Sequence, residues 1–135
     1  MIRRHESRVR DKRIILLIAL LFSITASCAK ISTTPKELIG IWKATDIRYS
    51  GTSFEIKKGA ITFQDKNGDI NSYTIVEIKR EFMRDEKWVR YTLCYLDNNL
   101  KTMKFPFYFL SSDEGMIRFK NQPSLIWKKD TGFVF

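Results

Sequence analysis

Ala60-Ile-Thr-Phe-Gln-Asp-Lys-Asn-Gly-Asp-Ile-Asn-Ser-Tyr-Thr-Ile-Val-Glu-Ile78 reads as two strands joined at a sharp reversal. Asn67-Gly68 is the pivot, since this pair readily takes the two positive φ angles of a type I′ hairpin turn. Turn-forming residues recur outward from it at Gly51, Gly59, Asn98-Asn99, Gly115, Pro123 and Gly132, with apolar runs between them. Such spacing suits a meander of short antiparallel strands rather than βαβ units. Strands are expected over Leu38–Tyr49, Ala60–Gln64, Ile70–Ile78, Trp88–Leu96, Leu100–Leu110, Met116–Lys120 and Ser124–Lys128, with a short one at Phe54–Ile56. Arg80–Glu86 reads as a charged reversal. No stretch carries a helical period, and Glu37–Ile41 allows one helical turn at most. The fold expected is all-β, a small antiparallel meander barrel or strongly curved sheet of about seven to eight strands.

Alternation assigns the faces. Met103, Phe105, Phe107 and Phe109 share one side, with Thr102, Lys104, Pro106 and Tyr108 opposite. Val89, Tyr91, Leu93 and Tyr95 share a side, as do Ile117 with Phe119 and Leu125 with Trp127. The inward set is rich in aromatic rings. A barrel of about eight strands is just filled by side chains or holds one small ligand. The aromatic volume favours a mostly filled interior or a narrow cup.

The first strand opens Leu38-Ile39-Gly40-Ile41-Trp42-Lys43, followed by Ile61-Thr62-Phe63, the Asn67-Gly68 hairpin and Leu125-Ile126-Trp127-Lys128. This order resembles the lipocalin-like domains of bacterial lipoproteins, within the calycin superfamily. The resemblance implies that Trp42 plugs the closed end of a barrel and that the missing Cβ of Gly40 admits a close neighbour. It also implies a basic residue of a late strand over that Trp, for which Arg118 or Lys128 is available, and a ligand site at the open mouth.

Ahead of this part lies a leader. Arg3 to Arg13 are basic, and residues 14–22 form an unbroken apolar run, loosely extended to Ala26. At about 13 residues this is short of the roughly 20 that span a bilayer. It fits the apolar region of a secretory signal, with small residues behind it. Thr25-Ala26-Ser27-Cys28 resembles a lipobox, with Thr25 where Leu is usual. That resemblance implies cleavage before Cys28 and its acylation. The expected organisation is a signal peptide over 1–27, a lipidated Cys28 and tether over 28–36, and a lipocalin-like β domain over 37–135. The cell envelope is the implied location, with outer-membrane placement favoured over inner because Ala29 is not Asp.

Several chemistries lack their residues. The only histidine is His5, in the leader, so the part beyond Cys28 has no imidazole for triads or common metal sites. Cys94 lies within a strand and reads as a buried small hydrophobe. Asp65, Asn67 and Asp69 have the spacing of a calcium loop, but Val76 stands where the bidentate Glu is required. Asp85-Glu86 and Asp113-Glu114 read as solvated turn residues. No enzymatic activity and no cofactor are expected.

The chain carries 24 Lys+Arg against 15 Asp+Glu, a net +9. About half of that excess lies within residues 1–28. Lys57, Lys58, Lys79, Arg80, Arg84, Lys87, Lys101 and Lys104 could suggest nucleic acid, a partner that export excludes. Attraction to acidic headgroups is the more plausible use of the charge. Gly132-Phe-Val-Phe135 resembles the end of an outer-membrane barrel, but Lys104, Arg118 and Lys128 on outer faces oppose a lipid-facing wall. Two functions are expected in competition. One is a carrier of a small apolar molecule against Trp42, Tyr91, Phe105, Phe107 and Phe109. The other is a filled barrel whose surface binds an envelope protein or inhibits a secreted enzyme.

Overall fold

The computed structural model describes residues 28–131 except 85, 86 and 113. The expected signal peptide over 1–27, the turn residues Asp85, Glu86 and Asp113, and the terminal Gly132–Phe135 lie outside the described residues. The strands are β1 (Cys28–Ile31), β2 (Gly40–Ala44), β3 (Ser53–Lys57), β4 (Ala60–Gln64), β5 (Ile70–Phe82), β6 (Val89–Leu96), β7 (Thr102–Leu110), β8 (Met116–Phe119) and β9 (Gln122–Lys129). All pairings are antiparallel. β2 to β9 form an up-and-down meander, each strand beside the next, and β2 pairs with β9 to close a ring of eight. The all-β expectation is met by a closed barrel.

The core is lined by inward residues of every ring strand, including Trp42, Phe54, Ile56, Ile61, Ile78, Tyr91, Leu93, Phe107, Phe109, Ile117, Leu125 and Trp127. The alternation read in β6, β7, β8 and β9 agrees with this set. Cys94 is buried as well, as a free thiol, and Cys28 is exposed and free.

Four boundaries differ from the sequence reading. Residues 38–49 are not one strand: β2 is flanked by 3-10 turns at Lys36–Leu38 and Ile47–Tyr49. The second turn is set by Asp46, whose carboxylate accepts from the Arg48 backbone N–H and pairs with its guanidinium at 2.7 Å. Those bonds hold the Asp46 pKa at about 2. β3 is a full strand of the ring. β5 runs through Phe82, so Arg80–Phe82 is strand, and only the residues after it reverse. The start of the expected tether is also strand: Cys28–Ile31 pairs with Ile78–Glu81 of β5. β5 is long enough to serve β4 with its first half and β1 with its second, and a bulge between Ile75 and Glu77 lies near that exchange. β1 therefore fills the place that β4 leaves.

The Asn67-Gly68 reversal is a hairpin of a different turn type. Gly68 has φ +83° while Asn67 does not have positive φ. Gly68 N–H donates to Asp65 O at 3.1 Å, and the Asp65 carboxylate takes the N–H groups of Asn67 and Asp69. This is a type I turn closed by a left-handed residue, the usual three-residue solution. The aspartate anchor leaves only one position needing positive φ. Asp97–Lys101 repeats the bonding, with Asp97 accepting from Asn99 and Lys101, but here Leu100 takes the left-handed place at φ +61°. A left-handed L-residue costs about 1–2 kcal/mol, and Leu100 is 78% exposed, so little packing offsets it. Leu100→Gly is expected to raise stability by about 1 kcal/mol in urea unfolding; an unchanged or lower midpoint would count against this account of the turn.

Candidate functional site

The two ends of the barrel differ. At one end the 3-10 turn at 36–38 and the β3–β4, β5–β6 and β7–β8 connections come together. Leu38 and Trp42 are fully buried there. Trp42 Nε1–H donates to Leu38 O at 2.9 Å. Phe109 meets Trp42 edge-on, with centroids 6.2 Å apart. Lys129 lays its ammonium 5.3 Å from the Trp42 ring centroid and donates to Glu37 O at 2.9 Å. The cation over the Trp is thus Lys129, in place of the expected Arg118 or Lys128. β9 ends one residue later than the sequence suggested, at Lys129, and the alternation that turns Leu125 and Trp127 inward carries Lys129 with them. Arg118 stacks instead on Trp88 outside the barrel, at 4.4 Å. Gly40, at φ +148°, is where the Lys129 stem crosses: an added Cβ would lie 2.9 Å from Lys129 Cδ. Tyr91 donates its hydroxyl to Glu37 Oε1 at 3.2 Å. Burial pushes the Tyr91 pKa above its ordinary value, Arg80 opposes that shift, and the Glu37 charge adds to it. This end is closed.

The other end carries the 45–52, 65–69, 97–101 and 120–121 connections, and here the interior is not filled. A cleft of about 300 Å³ is lined by Phe54, Phe63, Phe105, Phe119 and Trp127, with Thr52, Ser53, Gln64 and Asp65 at the rim. The rings form a continuous set. Phe105 lies 5.3 Å from Phe54, 5.3 Å from Phe63 and 5.4 Å from Phe119, and Phe119 lies 5.8 Å from Trp127. Such edge-to-face and tilted contacts are the favoured aromatic geometry. Trp127 Nε1–H is buried without an acceptor in the protein. An unmet buried donor costs about 1–3 kcal/mol.

Of the five side chains proposed from the sequence to meet a ligand, Phe105 lines this cleft. Trp42, Tyr91, Phe107 and Phe109 are packed into the core below it, each at most 4% exposed. Phe54, Phe63, Phe119 and Trp127 were missed. Their signal was position along the strand: Phe54, Phe63 and Phe119 each sit within one or two residues of a turn at this end. Among the described residues no group of three His, Cys, Asp or Glu could hold a metal ion, and no helix is long and apolar enough to cross a membrane. Comparison with protein-family models, curated proteins and solved structures gives no match.

Proposed function

We propose that the chain is a non-enzymatic, lipid-anchored binding protein of the bacterial envelope, lipocalin-like in kind, whose aromatic mouth takes a small apolar molecule. The observation that carries this reading is the cleft itself: an apolar recess lined by five rings at the open end of a barrel whose other end is plugged. Its volume is at the lower bound of about 300–1,000 Å³ for ligand pockets, so the ligand is compact, a planar or short-chain molecule rather than a long one. The basic leader, the apolar run and the small residues before Cys28 support the anchor, which fixes the domain in the envelope, with the outer membrane favoured over the inner.

A fluorescent naphthylamine, which brightens on entering an apolar site, tests the mouth. The wild-type domain is expected to bind it with saturation. Phe105→Ala and Phe119→Ala are expected to weaken binding about tenfold each, as loss of one ring contact implies. Phe82→Ala, on an exposed ring away from the mouth, is expected to leave affinity unchanged. Absence of saturable binding would discard the carrier. The packed lower core would then favour the second reading, a filled barrel that recognises an envelope protein with its surface.

A further inference from the structure

The strand register sorts the charges of the barrel onto one wall. Directly paired residues share a face, so the outer surface of β1, β5, β6, β7 and β8 can be laid out row by row. One row is Lys30–Lys79–Thr92–Pro106, and the next is Cys28–Glu81–Arg90–Tyr108–Arg118. A third is Glu77–Cys94–Lys104. Lys120 follows Arg118 by two positions and is exposed. β1 and β8 lie about half way round the ring from one another, so the part that one flat surface can meet is the β6–β7–β8 face, which carries Arg90, Lys104, Arg118 and the following Lys120 with no carboxylate on its three strands. On the far side, β2 to β4, the cations are ion-paired: Lys43 with Asp130 at 2.8 Å, beside Lys128 of β9, and Lys57 with Glu55 at 3.4 Å.

Three further features lie on or beside this face. β7 and β8 pair only over Tyr108–Leu110 with Met116–Arg118. Near where they part is a dent of about 570 Å³, flanked by Arg90 and Lys120, with Tyr108, Gln122 and Asn121 around it and Phe105, Phe107 and Phe119 also lining it. Trp88 and Tyr108 lie under the Arg118 guanidinium, at 4.4 Å and 5.5 Å. Aromatic rings with one wet edge and one apolar face suit the headgroup layer of a bilayer. Cys28, exposed and beside Lys79, Glu81, Arg90 and Thr92, lies at the edge of this face.

We propose that the β6–β7–β8 face is a docking surface for an anionic lipid layer, with the dent between Arg90 and Lys120 receiving a phosphate headgroup. The barrel then lies on its side against the membrane, with Cys28 at the edge of the docking face, close to Arg90. A lipidated Cys28 would hold the domain at the membrane, and the basic face would set which side of the barrel meets it. The cations act whether or not the mouth holds a ligand and whether or not Cys28 is acylated, so they are separable from both.

The buried core residues lie within 38–127 and Ile31 packs against them, so residues 28–135 with Cys28→Ser serve as the test domain. It is mixed with phosphatidylcholine vesicles containing increasing phosphatidylglycerol, and the bound fraction is read by flotation. Binding is expected to rise with the phosphatidylglycerol fraction and fall with salt. A lysine or arginine near such a surface is worth about fivefold in affinity. The triple variant Arg90→Gln/Lys104→Gln/Lys120→Gln is therefore expected to bind about 100-fold more weakly. Lys43→Gln/Lys57→Gln, on the far side of the barrel, is expected to bind as the parent does, and circular dichroism checks that both variants fold. Equal binding to neutral vesicles would overturn the proposal. So would equal losses in the two variants, since that would trace attraction to total charge rather than to this face. Soluble polyglutamate that displaces the protein at the same charge concentration as the vesicles would make the face a site for acidic protein and likewise overturn it.

Discussion

Trp42→Ala is expected to destabilise the barrel by about 4 kcal/mol, against the 3–5 kcal/mol typical of emptying a buried aromatic site. Three losses coincide. The ring is fully buried between Phe54 and Phe109, with centroids 6.4 Å and 6.2 Å away. Its N–H is the donor to Leu38 O, which the change leaves unpaired by the indole. The Lys129 ammonium loses the face it rests over. A domain of this size is commonly stable by about 5–15 kcal/mol, so a large share of the stability is at stake. Urea unfolding followed by far-ultraviolet circular dichroism reads the change without relying on the fluorescence of the removed ring. A loss under about 1 kcal/mol would show that the closed end tolerates a void, contrary to the packing described.

The second large effect is expected at a glycine. Gly115 has φ +96°, and a Cβ there would lie 2.9 Å from Phe109 Cε2 and 3.3 Å from the Trp42 ring. Both rings are in the packed core and cannot swing aside. Gly115→Ala therefore combines a strained backbone, about 1–3 kcal/mol, with overpacking, about 1–3 kcal/mol. We expect a total near 3 kcal/mol. Gly59→Ala separates the two contributions. Gly59 has φ +74°, and nothing lies within 4 Å of its added Cβ. It is expected to show the backbone cost alone, about 1 kcal/mol. Gly40→Ala should fall between them, because the Lys129 stem it meets is flexible. Equal losses at Gly115 and Gly59 would mean that the contact with Phe109 relaxes freely.

Much of the barrel was legible from two regularities. Alternation in Val89–Leu96 and Thr102–Leu110 placed Tyr91, Leu93, Phe107 and Phe109 inward, because a strand with one buried face must repeat every two residues. Gly and Asn at short intervals placed the reversals. The Asp65 turn was located correctly and typed wrongly, since the carboxylate that organises it competes with the backbone in a way Asn67-Gly68 alone does not reveal. β1 was not legible: Cys28-Ala29-Lys30-Ile31 carries no strand pattern of its own, and its pairing exists because β5 outlasts β4. The site was legible in its side but not in its height. Parity showed that Phe105, Phe107 and Phe109 face inward. It could not show that Phe105 reaches the mouth while the other two lie in packed core, since that depends on which turns share an end.

The order of the strands also governs how the chain reaches its shape. Every ring pairing joins neighbours in sequence except that of β2 with β9. The Lys129–Glu37 bond beside that seam joins groups 92 residues apart. Bringing such distant segments together carries a loop-closure entropy that local hairpins avoid, and folds dominated by such contacts form in milliseconds to seconds. Chains are made from the N-terminus, so β2 emerges long before its partner. Until β9 arrives, β2 has one bare edge, and Trp42 lacks the lysine that covers it. The last strand made is the one that seals the seam, and the time before its arrival is when this protein is most open to pairing with the wrong edge.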